Sequence, residues 1–249
     1  MTYGSGPTAK SVLADLNLSV RAGEFVCIVG PSGAGKTTLI RCISGLMLPT
    51  SGIALLDGSP ISEPPERLAL VSQDYSRSLM PWLRVEDNIK LPLRGKGIRG
   101  AEIKRRTEEA LASVGLAHAS RSYPSQLSGG MQQRVSIARA LAYHPEVLVM
   151  DEPFASVDAQ TRAELEDLIL ELQRRTGMTI LLVTHDIDES IYLADRVVVL
   201  GGTPATIRQT IDIDLGVERD QLITKSRPEF VAYRAEVLRS IRAARLQRD

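Results

Sequence analysis

Apolar residues fall along this chain in short β-branched runs at 24–29, 68–72, 147–150, 179–183 and 196–200. Unbroken runs of this length predict strands covered on both faces. Leu16, Leu18 and Val20 alternate with polar neighbours, which predicts a half-exposed strand nearer a sheet edge. Between the runs the apolar spacing becomes helical: Leu39, Ile43 and Leu46; Ile103, Thr107, Ala110, Leu111 and Val114; Leu165, Leu168, Ile169 and Leu172. Strands alternating with helices predict an α/β layered fold with a mainly parallel sheet. From about 75 to 144 the pattern is helical with Pro- and Gly-bearing breaks at 92–100 and 123–130. That stretch is expected to be a helical subdomain, 75–144, inserted into a core built from 1–74 and 145–249. Neither an internal repeat nor a low-complexity tract is visible.

Composition narrows the function only by exclusion. A chain of 249 residues with 43% hydrophobic and 24% charged content suits a folded globular protein rather than a disordered or fibrous one. Thirty basic residues balance thirty acidic ones, so the global basic footprint of a nucleic-acid binder is missing and no nucleic-acid partner is expected. No stretch approaches the roughly 18 consecutive apolar residues of a membrane span, and residues 1–10 carry no apolar signal-peptide core. Cys27 and Cys42 form no CxxC pair and no disulfide framework; two small buried hydrophobes in a reduced, cytosolic protein are expected.

The chemistry concentrates in three places. Gly30, Pro31, Ser32, Gly33, Ala34, Gly35, Lys36 and Thr37 fit GxxxxGK[ST], directly after a predicted strand and opening a predicted helix. Glycines let backbone N–H groups close around phosphate oxygens, and the helix start adds a favourable dipole. Lys36 is expected to reach the β- and γ-phosphates of a nucleoside triphosphate, and Thr37 to ligate Mg²⁺; Thr38, next in the helix, completes the nucleotide-contacting set. The run 147–150 ends in Asp151, which places that carboxylate at the sheet's C-terminal edge, where Mg²⁺ coordination needs it. Glu152 follows and could polarise a water for in-line attack on the γ-phosphate. Third, Leu127, Ser128, Gly129, Gly130 and Met131 open a helix running through Ile137 and Leu141, with Ser128 as candidate N-cap. This is either a plain capped helix or a second phosphate-ready helix start. Since the chain's own loop already holds the phosphates, the second would serve the nucleotide of another subunit.

Together these residues resemble the ATP-binding cassette (ABC) ATPases over nearly the whole chain. Residues 127–131 are similar to the family's signature motif, Gln73 to its Q-loop glutamine, Ser156-Val157-Asp158 to its D-loop, and His185 to its switch histidine. Alone, Gln73 could be any loop amide, His185 a structural histidine, and Asp158 the cap of a helix starting near Thr161. The resemblance implies a P-loop NTPase (RecA-like) core with an antiparallel β edge. It also implies a head-to-tail pair of cassettes, each ATP lying between one phosphate loop and the partner's Ser128, Gly129, Gly130 and Asp158. In that pair Glu152 is the catalytic carboxylate, Gln73 senses Mg²⁺ and the attacking water, and His185 contacts the γ-phosphate. Tyr3 stands where the family places an aromatic residue that stacks on adenine. Three departures are visible: Met131 replaces a usual glutamine, Val157 a usual leucine, and only two residues precede Tyr3, so the family's first strand is expected to be missing or truncated.

Residues 76–82, ending Met80-Pro81-Trp82, and the tail from Arg227 to Ile241 resemble the nitrate, sulfonate and taurine branch of ABC importers. The resemblance implies an ATP-hydrolysing subunit at the cytoplasmic face of the inner membrane, driving transmembrane permease subunits. A second copy of the chain would be its cassette partner, and an extracytoplasmic solute-binding protein an indirect one. Trp82, the single tryptophan, is either an interface anchor for the permease or the closure of a small core in the helical subdomain. Arg239, Arg242 and Arg245 recur at helical spacing, as on a solvated basic face; contact with anionic lipid or permease loops is the other reading. A non-transport ABC ATPase is the alternative function, although tandem cassettes, coiled-coil insertions and basic arms are not seen. The signature residues and the lack of an NKxD guanine-reading pattern argue against a P-loop kinase or GTPase.

Overall fold

The computed structural model describes residues 1–4, 6, 9–73 and 78–246. In chain order these form β1 (Thr2–Tyr3), β2 (Lys10–Ser11), β3 (Phe25–Val29), α1 (Lys36–Ile43), β4 (Leu55–Leu56), β5 (Ser59–Pro60) and β6 (Leu68–Val71). Next come α2 (Val85–Gly95), α3 (Gly100–Ser113), α4 (Gly129–Leu141), β7 (Val147–Asp151) and α5 (Ala159–Thr176). Then follow β8 (Thr179–Val183), α6 (Ile187–Leu193), β9 (Arg196–Gly201), β10 (Thr206–Asp212), α7 (Ile223–Ser226) and α8 (Pro228–Leu246). Two compact units divide the chain, Met1–Leu68 with Thr179–Asp249, and Ala69–Met178.

In the first unit the strands lie in the order β10-β9-β3-β8. All five residues of β3 are buried, as an unbroken Phe-Val-Cys-Ile-Val run requires, and β3 pairs in parallel with both β8 and β9. Arg196 anchors β9 beside the start of β3: its Nε and Nη2 donate to the buried Glu24 carboxylate at 2.7 and 2.8 Å. Such a forked pair is strong because planar guanidinium matches carboxylate geometry. Helix α6 packs on β3, and α8 on β9, β10 and α6. A two-residue Asp57-Gly58 turn, both at positive φ, closes the β4–β5 hairpin, the geometry that suits right-twisted strands.

The antiparallel edge is β10, with a bulge between Ile207 and Gln209. Its sequence, TIRQTID, lacks strict alternation, so periodicity did not reveal it. The strand expected from Leu16, Leu18 and Val20 is not there. Burial does alternate along this stretch, half-buried and exposed, but no ladder forms there, so it is irregular chain at the unit's surface. The helix expected through Leu46 also stops earlier, at Ile43; Gly45 takes the left-handed backbone and Leu46 is exposed. Cys27 and Cys42 are both buried and outside any disulfide, and burial pushes the Cys42 thiol above its usual range. The first strand is two residues long and, among the described residues, pairs with β2 alone.

In the second unit β7 lies beside β6, and residues 78–144 hold helices and loops without a strand. Helix α2 packs on α3 and α4, α3 on α4, and α4 on α5. Most of the predicted faces are buried, Thr107, Ala110 and Leu111 of α3 and Leu165, Ile169 and Leu172 of α5, while Ile103 and Leu168 are half-buried. Polar surface pairs decorate α3, where Arg105 and Arg106 hold the Glu102 carboxyl down to about 2. Lying at the surface, these pairs contribute little to stability.

Candidate nucleotide site

The phosphate loop is shaped by strand, glycines and lysine together. It leaves β3 at Gly30, whose absent side chain is required: a Cβ there would lie 2.5 Å from the Leu200 carbonyl oxygen. Gly33 and Gly35 take φ of 73° and 74°, a region in which only glycine sits without strain. Lys36 is buried, and its ammonium donates to the carbonyls of Gly30 at 2.9 Å and Pro31 at 3.2 Å. The loop therefore curls around its own positive charge. Gly35 is the N-cap of α1, with no capping side chain, so the helix start offers backbone donors to an anion. Ser32, Gly33 and Thr37 are exposed, while Ala34 is buried against the unit.

Tyr3 and His185 sit in the same unit. Tyr3 Oη lies 3.2 Å from Thr38 Oγ1 and donates to Met47 Sδ at 3.3 Å, so β1 holds the ring beside the first turn of α1. His185 leaves the end of β8, and Ile28 of β3 pairs with Val183 of β8. Parallel register thus brings Gly30 and His185 out at the same, C-terminal, end of neighbouring strands, where α/β sheets bind ligands. His185 is exposed; beyond it Asp186 caps α6 by accepting from Glu189 N at 3.1 Å.

The remaining expected residues are carried by the second unit. Asp151 ends β7 half-buried, after four buried residues. Glu152 has φ of 45°, left-handed backbone that a non-glycine side chain adopts at a cost of about 1 kcal/mol or more. Its Oε2 accepts from Gln73 Nε2 at 3.1 Å, so two residues 79 positions apart in sequence meet directly. Ser128 caps α4 by accepting from Met131 N at 3.3 Å, and Ser128 and Gly129 are exposed. Asp158 caps α5 and receives both Thr161 N (3.0 Å) and Thr161 Oγ1 (2.7 Å). Those bonds hold its carboxyl below the ordinary aspartate range, the backbone one most. Both capped-helix readings are therefore correct as structure, and both caps stay exposed to a ligand.

The family model described as "ABC transporter" matches residues 13–155 of this sequence. The chain belongs to the ABC transporter family. It is 44% identical over 230 residues to the nitrate import ATP-binding protein NrtD of Synechococcus elongatus, covering 91% of this chain and 83% of the relative. It is also 40% identical to the aliphatic sulfonates import ATP-binding protein SsuB of Bacillus licheniformis, covering 95% and 89%. Among solved structures, the dimeric post-hydrolysis ATP-binding cassette MJ0796 with ADP and Pi superposes with a TM-score of 0.74 at 32% identity, covering 86% of this chain and 95% of that one. This ABC chain is accordingly an ATPase with a P-loop NTPase fold, and it binds ATP.

Trp82 does not close a core in the cassette's helical unit. It is 70% exposed, at the tip of a turn closed by Leu83 N donating to Met80 O at 3.0 Å. The turn itself is rigidly held. Buried Asn88 accepts from Met80 N at 2.7 Å, and its Nδ2 faces the carbonyls of Met80, Leu83 and Arg84 at 3.1–3.2 Å. Arg139 of α4 reaches Ser78, donating to its carbonyl at 2.5 Å and its hydroxyl at 2.9 Å. Ser76 and Arg77, which begin the branch-like segment, lie outside the described residues. Arg239, Arg242 and Arg245 are exposed on α8, as a solvated face requires.

Sequence reasoning missed the residues that mould the loops. Leu13 and Val12 wall the phosphate loop at Gly35, where a Cβ would come within 2.7 Å of Leu13 Cδ2. No motif links them, because the contact is made by an irregular segment. Gly35→Ala, strained in φ and blocked by Leu13, is expected to weaken ATP binding about tenfold or more and to lower Tm by several degrees. Titration with a fluorescent ATP analogue and thermal melting measure both effects.

Proposed function

We propose that this cassette is the ATP-hydrolysing subunit of an importer, acting as a head-to-tail dimer of identical chains on separate membrane permease subunits. The carried solute is of the nitrate, sulfonate or taurine type, delivered by an extracytoplasmic binding protein. Two relatives named for nitrate and aliphatic sulfonate import support the branch. No helix among the described residues is long and apolar enough to cross a membrane; peripheral attachment at the cytoplasmic face follows from the importer reading itself. The observation that carries the reading is Trp82, exposed on a turn that Asn88 and Arg139 hold in place. A large apolar side chain braced in solvent is what a protein interface uses as an anchor.

In this reading the loop amides of Gly33 and Gly35, with Lys36, hold the β- and γ-phosphates, and Tyr3 stacks on adenine. Gln73 orients the Glu152 carboxylate, which accepts the proton of the attacking water. His185 contacts the γ-phosphate from the neighbouring strand end. Ser128, Gly129, Gly130 and Asp158 serve the partner's nucleotide. Thr37, Asp151 and Gln73 would hold Mg²⁺. Their donors are all hard oxygens, and no cluster of three or more His, Cys, Asp or Glu exists among the described residues. That set fits Mg²⁺, which takes one or two carboxylates, here Asp151, beside neutral oxygens and leaves the other positions to phosphates and water. When bound, the ion neutralises charge developing on the phosphate oxygens. Within the cassette, residues 75–144 form the helical subdomain and 1–74 with 145–249 the nucleotide-binding core.

Trp82→Ala tests the permease contact. Co-purification of membrane subunits with the tagged chain is expected to fall about tenfold, the scale of an interface hot spot, while Tm stays within about 2 °C. Unchanged co-purification would remove Trp82 from the interface.

A further inference from the structure

Helices α4 and α5 meet along a short seam. A Cβ added to Gly130 would collide with the methyl Cγ2 of Thr161. One turn further, Arg134 Nη2 of α4 donates to Glu164 Oε2 of α5 at 3.1 Å. Contacts that advance together, from 130 to 134 and from 161 to 164, mean that the two helices start side by side and run the same way. Thr161 stands where the seam begins, and it has two faces. Its methyl touches Gly130, whereas its N–H and hydroxyl both hold Asp158.

We propose that Thr161 is a positioning residue that locks the Ser128–Gly130 turn and the Asp158 turn into one rigid edge, and that ATP turnover depends on this lock. The proposal rests on the head-to-tail reading, in which both turns meet the partner's nucleotide and must arrive together. Glycine at 130 is then demanded by a neighbouring helix as well as by any phosphate. Thr161 is suited to the task because one β-branched side chain carries both a packing group and a hydroxyl.

The two halves of the side chain can be removed separately. Thr161→Val keeps the methyl and deletes the hydroxyl, taking one bond from Asp158. Its kcat is expected to fall about fivefold to tenfold at unchanged KM for ATP, the pattern of an interaction lost after substrate binds. Thr161→Ser keeps the hydroxyl but removes the methyl that meets Gly130, and its kcat is expected to fall about fivefold as well, again at unchanged KM. Wild-type kcat in Thr161→Ser overturns the methyl half of the lock. Gly130→Ala is expected to lower both Tm and kcat, the latter about tenfold or more, by overpacking the seam. Adding Thr161→Ser to Gly130→Ala clears the methyl and should return Tm to that of Thr161→Ser alone, a coupling that a double-mutant cycle on stability reads directly.

A double variant that melts as low as Gly130→Ala overturns the proposal, since Thr161 would then not be the group that Gly130 packs against. Full kcat in Thr161→Val overturns it too, even if Tm drops. Failure of the head-to-tail reading shows separately: a Glu152→Gln protein that stays monomeric with ATP sinks that reading, whereas the Tm arm of the cycle is measured on the single chain.

Discussion

Replacing Glu152 with glutamine is expected to cut ATP hydrolysis by about 10²–10⁴-fold, the range a positioned general base supplies. An amide has nearly the carboxylate's shape, so the left-handed backbone at 152 and the bond with Gln73 can persist. What is lost is the ability to take a proton from water. ATP affinity should change little, because the phosphate loop belongs to the other unit and its lysine is held by Gly30 and Pro31. If hydrolysis is what reopens the dimer, the variant should accumulate as an ATP-bound dimer. Phosphate release and size-exclusion chromatography with ATP read the two effects. Turnover at the wild-type rate would remove Glu152 from the base role.

Ser128→Arg is expected to abolish hydrolysis, by at least about a hundredfold if the signature turn supplies donors to the partner's γ-phosphate, as removal of a preorganised donor does. The substitution deletes the cap on Met131 N, worth about 1 kcal/mol, and sets a long cation on an exposed helix start. Local helix stability is a minor part of the expected loss, since α4 is buried along most of its length. Affinity of the isolated monomer for ATP should remain within about threefold, a difference under 1 kcal/mol. A monomer that no longer binds ATP would place Ser128 at its own chain's nucleotide and defeat the head-to-tail arrangement.

Both predictions begin from residues visible in the sequence, yet they lean on contacts that are not. Glu152 could be named because it follows an apolar run ending in Asp151. Its partnership with Gln73 spans 79 residues and has no periodic trace. Trp82 allowed two readings of equal chemistry, and only its exposure separates them. The edge strand shows the opposite failure. Leu16, Leu18 and Val20 carry the alternation of a strand but find no ladder, whereas β10 forms without it because β9 offers a free edge.

The sequence by itself determined the five buried strands, the helical character of 78–144, the phosphate loop and the Ser128 and Asp158 caps. Each of these is settled within a few residues, by covered β-branched runs, by glycine's access to positive φ, or by a side chain reaching its own helix start. Tertiary structure alone decided that Leu200 and Leu13 forbid side chains at Gly30 and Gly35, that Thr161 does so at Gly130, and that Gln73 meets Glu152. Such contacts join segments that hold no common pattern. They arise from close packing of whole elements, whose geometry is set by every neighbour at once.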